Sequence, residues 1–306
     1  TGFLQGPRFT ENVPGIQSFV RIQSGQEDIK KETEVQSQDL LRVDSNFFSV
    51  FSFPLLSGNP EPCLSQPRFV VLSEDMAKKQ FGTTDVVGKT MMLTENSEFV
   101  PYSVTGVAKR CPQNSSIKFD VLLPFNAADK DMTDSENWFN FFLNTFVVLD
   151  PVAKVTAVEG NMQHFYEIDS KEAIESLTKI YGPSVSSEKT KYLLQPFVAM
   201  HLSKDLPPQN GLSDASNPMY SYILSGIALF ILLIACINFI NLTVARSIKR
   251  AREIGIRKVV GGARKQLIVQ FLGESFLLCF MAFVLALVIV RLVLPVFNDL
   301  SNKALA

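Results

Sequence analysis

Apolar and polar positions divide the chain into two parts that meet near Pro218. Before Pro218, short apolar runs alternate with polar segments and turn residues, which is typical of a folded domain with strands and helices. After Pro218, two long apolar stretches are joined by a short basic segment. The pattern therefore predicts a folded domain over residues 1–219 and a membrane region over residues 220–306.

The first part has the pattern of an α+β domain. Its strands and helices are interspersed without a regular βαβ alternation, which favours α+β over α/β. Ser73 lies where a helix N-cap is expected, and the sequence leaves open a division into two lobes near residues 125–145. The predicted strands are Arg68–Leu72, Thr90–Leu93, Tyr102–Val107, Phe119–Leu123, Phe146–Leu149 and Lys191–Phe197, and the predicted helices are Glu74–Phe81, Val155–Ile168 and Ser170–Tyr181.

Two stretches of the second part are long enough to cross a membrane. Residues 220–244 contain no charged side chain over 25 positions, and about 20 apolar residues span the hydrocarbon core. The second stretch, residues 267–294, has an uncharged core over residues 275–290 and then Arg291. We expect Pro295 to end or kink this second helix, because proline lacks the backbone N–H of a helix interior.

The basic segment between these stretches, residues 245–266, sets the predicted orientation. It carries eight Lys and Arg side chains and one acidic residue, Glu253, for a net charge of +7, although the whole chain has a net charge of -1. Short loops rich in Lys and Arg stay on the cytoplasmic side of a membrane. Residues 1–219 and the tail at 295–306 are therefore predicted on the opposite side. We expect an upstream helix or signal that delivers them there, and further chain after the tail.

Three polar residues within the apolar stretches are candidates for helix packing. Asn238 and Asn241 lie three positions apart on one helical face, and a polar amide is costly in lipid unless it faces another helix. Glu274 lies near the basic segment. The sequence leaves three roles open for this side chain: it reaches toward the membrane surface, it pairs with a cation, or it faces neighbouring helices.

The sequence carries no pattern of an enzyme, a cofactor site or a metal site. His164 and His201 have no Cys or carboxylate partner at ligand spacing, and no GxSxG nucleophile motif occurs. Residues 82–90 read GTTDVVGKT, but five residues separate the two glycines where a phosphate-binding loop has four. We therefore expect a plain turn there. The sequence leaves open whether Cys63 and Cys111 form a disulfide.

The basic segment also carries an apolar stripe. Ile248, Ala251, Ile254 and Gly255 fall on one face of a helix, which Gly261-Gly262 would break or cap. Contact with anionic lipid headgroups explains the basic charge. It does not explain an apolar stripe with small residues, which suits docking into a groove of a protein.

The same segment resembles the EIGIRK…GA signature of MacB/FtsX-like ABC transporter permeases. Segments upstream resemble the periplasmic core domain of these permeases, so the likeness covers nearly the whole chain. In the signature, Gly261-Gly262-Ala263 has one more Gly than is usual. The matching residues are Arg252, Glu253, Ile254, Gly255, Ile256, Arg257 and Lys258 in the loop, with Thr1–Ile22, Val71–Glu74, Lys78–Gly82, Val87–Thr90 and Tyr102–Phe125 upstream.

The resemblance implies a permease subunit of an ATP-driven transporter in the bacterial inner membrane, with residues 1–219 in the periplasm. Residues 252–258 would contact an ABC-type ATPase, which hydrolyses the ATP, and the first membrane helix would pass its motion to the periplasmic domain for export or extraction of a substrate. The family further implies a homodimer or pseudo-dimer, a periplasmic adaptor or substrate protein, and contact with membrane lipids. It implies no cofactor and no nucleic-acid partner.

A membrane-anchored periplasmic sensor or scaffold without transport is the alternative function. Such a sensor normally carries a large cytoplasmic output domain after its span, whereas this chain re-enters the membrane after the short segment 245–266. A membrane-anchored periplasmic enzyme comes third, because no catalytic pattern supports it. Binding of an ATPase to the basic segment separates the first hypothesis from the other two.

Overall fold

A computed structural model describes residues 1–31, 33–95, 97–112, 115–125, 137–181, 190–202, 209–212, 218–259 and 264–301. The chain forms two compact units, Thr1–Asn217 and Pro218–Ala306. The first unit combines a mixed sheet with helices, which confirms the predicted α+β class. It is one compact unit and not two lobes.

The first unit alternates strands with short helices. In chain order its elements are α1 (Gln5–Asn12), β1 (Ile16–Lys31), β2 (Glu34–Val43), α2 (Phe47–Val50), β3 (Leu55–Gly58), β4 (Phe69–Ser73), α3 (Glu74–Phe81), β5 (Thr90–Glu95), β6 (Glu98–Ala108), β7 (Val121–Pro124), β8 (Asn144–Leu149), α4 (Val155–Asp169), α5 (Lys171–Tyr181) and a 3-10 helix (Phe197–Leu202).

The eight strands form one sheet in the order β2-β7-β4-β6-β5-β1-β8, with β3 paired to β6. Because β1 also pairs with β2, six of these strands close into a ring. The β2–β7 and β4–β6 pairs are parallel, and the other pairs are antiparallel. All six ring strands and α3 contribute to one buried cluster, which includes Ile29, Leu40, Leu72, Met76, Leu93, Val104 and Val121.

Two further hydrophobic clusters complete the first unit. One packs α2 against β1, β2 and β7 around the fully buried ring of Phe47. The other joins α1 and α4 through Trp138 and Tyr192. Buried Gln5 ties this cluster together, because its Nε2 donates to the Trp138 carbonyl at 3.3 Å and its Oε1 accepts from the Gly2 N–H at 2.7 Å.

Arg21 on β1 and Asp44 just after β2 form an ion pair that is largely withdrawn from solvent. Their side chains are 12% and 15% exposed, and the Arg21 Nη2 to Asp44 Oδ1 distance is 2.6 Å. The Arg21 backbone N–H also donates to Asp44 Oδ2 at 2.7 Å, and Arg21 Nη1 donates to the Phe3 carbonyl at 3.0 Å. The rings of Phe3, Phe19 and Phe125 lie 5.5, 5.2 and 5.3 Å from the guanidinium carbon. The pair therefore fixes the N-terminal segment to the β1–β2 pair.

Most predicted elements between residues 68 and 181 are confirmed. The hydroxyl of Ser73 accepts from the Met76 N–H and caps α3. Gly82 and Gly88 both have positive φ, at 74° and 86°, and the chain between them is a turn leading from α3 toward β5. The plain turn expected in this segment is confirmed. The long strands β1 and β2, by contrast, were not predicted.

The strand predicted at Lys191–Phe197 is wrong. Described residues 190–196 form no strand, and a 3-10 helix begins at Phe197. Side chains of α4 take the place of a partner strand, since the Tyr192 N–H donates to Gln163 Oε1 and the Leu194 N–H donates to Glu159 Oε1. Pro196 supplies no N–H for a sheet ladder.

The second unit consists of two long helices, α6 (Pro218–Val259) and α7 (Arg264–Ser301). Within the described residues, Met219–Ile248 and Ile268–Asn298 are long and apolar enough to cross a membrane, and their most apolar stretches contain no buried residue. Of the two outcomes expected at Pro295, an end of the second helix does not occur, because α7 continues to Ser301, and a kink there stays a prediction. Proline inside a membrane helix is tolerated when neighbouring groups satisfy the freed carbonyl.

We expect Asp44→Ala to destabilise the first unit strongly, because it leaves the Arg21 guanidinium largely buried without its counter-charge. Removing one partner of such a pair costs about 3 kcal/mol or more, which lowers Tm by roughly 6 °C or more in a domain of this size. Thermal unfolding of the full chain in detergent can be followed by the fluorescence of Trp138, the one tryptophan of the sequence. Asp85→Ala, at an exposed position, is the control and should leave Tm unchanged. Equal Tm values for the two variants would contradict this role of the ion pair.

Candidate functional site

The segment predicted to contact an ATPase lies on the last turns of α6. The helix runs without interruption from Pro218 through the basic segment to Val259. Gly255 and Ile256 are exposed there. The side chains of Arg252, Glu253, Ile254, Arg257 and Lys258 lie outside the described residues, as do Gly261-Gly262 and Ala263. The contact with an ATPase therefore stays a prediction.

The polar residues of the apolar stretches lie along the two long helices. Asn238 and Asn241 are exposed on α6, and Glu274 is exposed on α7. Exposure of a polar amide on a membrane-length helix calls for a partner helix, since lipid offers no hydrogen bonds. Their role in helix packing stays a prediction.

A groove of about 800 Å³, lined by both polar and apolar residues, lies on the first unit against the β1–β2 pair. Ser24 and Gln26 of β1 and Asp39 of β2 line one side. Arg110 and residues 118–120 line the other. The groove joins several separate parts of the chain, so no local motif in the sequence could have indicated it.

The groove exists because two parallel strands separate. β2 pairs with β7 at Leu41–Val43. On its other edge β7 pairs with β4 at Val121 and Leu122, and this pairing extends to residue 120, because the Asp120 carbonyl accepts from the Ser73 N–H at 2.8 Å. This leaves β2 and residues 118–120 on opposite sides of the groove.

Polar groups of both signs line the groove, and several of them are paired. Arg110 holds Asp75 by two hydrogen bonds of 2.6 and 2.8 Å, and these bonds lower the pKa of the Asp75 carboxyl from its ordinary value. Asp120 Oδ1 accepts from the Ser73 hydroxyl at 2.8 Å, and Asp39 Oδ1 accepts from the Gln26 amide at 3.2 Å. Such a surface suits a polar ligand with both donors and acceptors.

The described side chains offer no metal centre and no disulfide. Among them, no group of three or more His, Cys, Asp or Glu could hold a metal ion, and His164 lies exposed on α4. All four cysteines are free thiols, so the disulfide left open between Cys63 and Cys111 is not formed. Burial raises the pKa of the Cys63 thiol to about 11. Burial also raises the pKa of Cys111, which lines the groove.

The chain thus combines an α+β domain with two membrane-length helices joined by a basic segment, and the family matches assign this combination to the membrane permeases. The chain matches the family described as MacB-like periplasmic core domain over residues 4–165, and the FtsX-like permease C-terminal family over residues 225–305. The first match covers more than half of the chain, so the chain belongs to the MacB/FtsX-like permeases. The resemblance found in the sequence is thereby confirmed. The families place it among ABC transporter permeases with a periplasmic domain.

Individual relatives agree with this assignment. The chain is 24% identical over 275 residues to the pyoverdine export ATP-binding/permease protein PvdT of Pseudomonas savastanoi, covering 87% of this chain and 37% of that protein. It is 23% identical over 283 residues to the uncharacterized ABC transporter permease YknZ of Bacillus subtilis, covering 88% of this chain and 62% of YknZ. The chain thus spans less than two thirds of either relative.

One solved structure is similar in fold. It is a permease domain from Porphyromonas gingivalis, with a TM-score of 0.50 and 22% identity, and the match covers 57% of this chain and 74% of that one. At 22% identity this likeness supports the fold and says nothing about the activity.

We expect Cys63 to resist alkylation at pH 8 while Cys111 reacts measurably. Cys63 is 1% exposed, and with its pKa near 11 only about one thiol in a thousand is ionised at that pH. Mass spectrometry of peptides after N-ethylmaleimide treatment of the folded chain measures both rates. Unfolding in guanidinium should bring the two rates together, and equal rates in the folded chain would contradict the burial of Cys63.

Proposed function

We propose that this chain is the permease subunit of an ATP-driven ABC transporter in the bacterial inner membrane. An ABC-type ATPase binds the basic end of α6 at Arg252–Lys258 and hydrolyses the ATP, while this chain contributes no catalytic group. Motion of the ATPase passes along α6 to the periplasmic domain, which exports or extracts a substrate. Membership in the permease family supports an ATPase partner.

The observation that carries the proposal is the continuity of α6. The helix has 42 residues and is therefore about 63 Å long at 1.5 Å per residue, roughly twice the thickness of the hydrocarbon core. The membrane-length stretch ends at Ile248, and the helix continues to Val259 with the basic residues. One continuous helix joins Pro218, where the membrane region begins, to the segment that we propose binds the ATPase.

The division of the chain follows from this arrangement. Residues 1–219 form the periplasmic domain and residues 220–306 the permease region. The latter has spans at 220–244 and 267–294, a cytoplasmic loop at 245–266 and a periplasmic tail at 295–306. The positive charge of the loop supports this orientation. Asn238, Asn241 and Glu274 pack against other helices of the transporter.

The groove on the first unit is the surface that we assign to a periplasmic substrate or adaptor protein. Its mixture of carboxylates, amides and cations suits a ligand with donors and acceptors, such as an extended peptide. The relative PvdT is named an ATP-binding/permease protein, which supports an ATPase partner, and the proposal includes a homodimer or pseudo-dimer of the permease.

Charge reversal of the basic segment tests ATPase binding. We expect Glu253→Lys combined with Arg257→Glu to remove the co-purifying ATPase from the intact permease, because like charges would then face the docking groove. Immunoblotting for a tagged ATPase after affinity purification of the permease gives the measurement. Glu175→Lys with Lys179→Glu, a reversal at two exposed positions of α5 with the same four-residue spacing, is the matched control and should retain the ATPase. If the ATPase binds equally well to all variants, the sensor or scaffold function is favoured instead.

The orientation is tested by labelling with a membrane-impermeant maleimide. Ser37→Cys on β2 and Lys265→Cys on α7 are both at exposed positions and are introduced into a chain whose four native cysteines are replaced. We expect Ser37→Cys to be labelled once the outer membrane is permeabilised, and Lys265→Cys after the inner membrane is opened as well. The reverse order would overturn the proposed topology.

A further inference from the structure

One edge of β2 is only partly paired. On one side β1 pairs with β2 along its whole length, Glu34–Val43, whereas on the other side β7 pairs with it only at Leu41–Val43. Among the strands that the structure describes, none pairs with β2 before Leu41 on the β7 side. Residues 34–40 are therefore called here the open edge of β2. Residues 38–40 of this edge line the groove, together with Leu41.

The register shows which backbone groups point to the open edge. The Val43 carbonyl accepts from the Phe125 N–H at 3.1 Å, so Val43 directs its backbone groups toward β7. The pairing of β1 with β2 runs through β2 without a shift of register, and successive residues of such a strand direct their N–H and C=O groups to opposite edges. Every second residue before Val43 thus faces the side of β7. These residues are Leu41, which pairs with β7, and then Asp39, Ser37 and Val35, which no described strand meets on that side.

The open edge is accessible from solvent. Val35, Ser37 and Asp39 are all exposed, Val35 to 51%. A row of accessible and unpaired N–H and C=O groups is a template for a further strand. The groove volume of about 800 Å³ lies within the range of ligand pockets, roughly 300–1,000 Å³. The groove therefore leaves room for an extended chain along β2.

The side chains along the open edge favour particular partners. Asp39 is the one charged residue among those that β2 contributes to the groove, and the Arg110 guanidinium on the other side is already held by Asp75. Directly opposite residues of neighbouring strands have their Cβ atoms about 5 Å apart, which lets opposite charges pair. A Lys or Arg opposite Asp39 is therefore favoured. Val35 lies four residues away on the same face of β2 and favours a β-branched apolar neighbour.

We propose that an extended segment of a partner protein adds to the open edge of β2 as a further strand, with its backbone bonded to Val35, Ser37 and Asp39. The segment carries a basic residue opposite Asp39 and a β-branched apolar residue, four positions away, opposite Val35. This inference names the class of partner for the groove, and it rests on the proposed function for the role of the groove. Strand addition draws affinity from main-chain bonds and specificity from alternate side chains.

The peptide Ser-Val-Thr-Thr-Thr-Lys-Thr-Thr-Thr-Val-Ser tests the backbone pairing. Its lysine has a valine four positions away on each side, so it fits β2 in either direction. Binding to the full chain in detergent is measured by titration calorimetry, up to about 1 mM peptide. Two further peptides carry N-methyl groups, either on the lysine and alternate residues from it or on the residues between these. Only one of the two sets has its N–H groups facing β2.

We expect one set of N-methyl groups to weaken binding by about tenfold or more, because it removes main-chain hydrogen bonds, and the other set to leave binding unchanged. Loss with the lysine set indicates antiparallel addition, and loss with the intervening set indicates parallel addition. Equal binding of the two methylated peptides overturns the proposal. Failure of the unmethylated peptide to bind the wild type overturns it as well.

Ser37→Pro and Ser37→Ala form a matched pair of variants in the protein. Proline removes the Ser37 N–H, which faces the open edge and takes no part in the ladder with β1, and proline is tolerated at sheet edges. We expect Ser37→Pro to weaken binding of the unmethylated peptide by about tenfold and Ser37→Ala to leave it unchanged. Equal binding by two variants with the wild-type Tm overturns the proposal. If Ser37→Pro lowers Tm, the methylated peptides decide alone.

A charge exchange tests the side-chain preference. We expect Asp39→Lys to weaken binding of the peptide and to regain it when the peptide lysine is replaced by glutamate. Unchanged binding in both combinations overturns the preference for a basic residue. Dissociation of a dimer of the full chain by Ser37→Pro would assign the open edge to a second copy and overturn a separate partner. No ATPase takes part, so loss of peptide binding leaves the proposed ATPase contact standing, and the converse also holds.

Discussion

The ion pair of Arg21 and Asp44 is the interaction on which the first unit depends. Charged groups with so little exposure are tolerated when they are paired and hydrogen-bonded. Here Asp44 takes three donors from Arg21, and the guanidinium is flanked by three phenylalanine rings. The pair ties β1, the end of β2 and the N-terminal segment to one point. From there β1 reaches β2, β5 and β8, which lets the sheet close into a ring.

The parts of the structure that sequence patterns predicted are those in which local chemistry decides the outcome. The Ser73 hydroxyl caps a helix locally, and the charge-free stretch that begins at Tyr220 is by itself long and apolar enough to predict a membrane-length helix.

The sequence patterns did not predict β1 and β2, because Gln23–Asp28 is a polar run whose extended conformation depends on pairing with β2. The groove escaped because its walls meet through the pairing of distant strands.

Two expectations drawn from local patterns differ from the structure. At Lys191–Phe197 the apolar pattern is that of a strand, but side chains of α4 bind the backbone groups that a neighbouring strand would have taken. There, groups outside the segment decide its conformation, and a single sequence does not display them. At Pro295 the missing N–H is a local argument for an end or a kink of the helix, and α7 does not end there.

The buried thiol of Cys63 bears on how the periplasmic domain matures. The periplasm is oxidising, and its thiol oxidants act on accessible thiolates. In the unfolded chain both Cys63 and Cys111 are open to these oxidants, whereas in the folded domain Cys63 is enclosed with a raised pKa. The time between translocation and core formation therefore sets the exposure of Cys63 to mispairing. A chain that folds before these oxidants act keeps Cys63 as the free thiol seen in the folded domain.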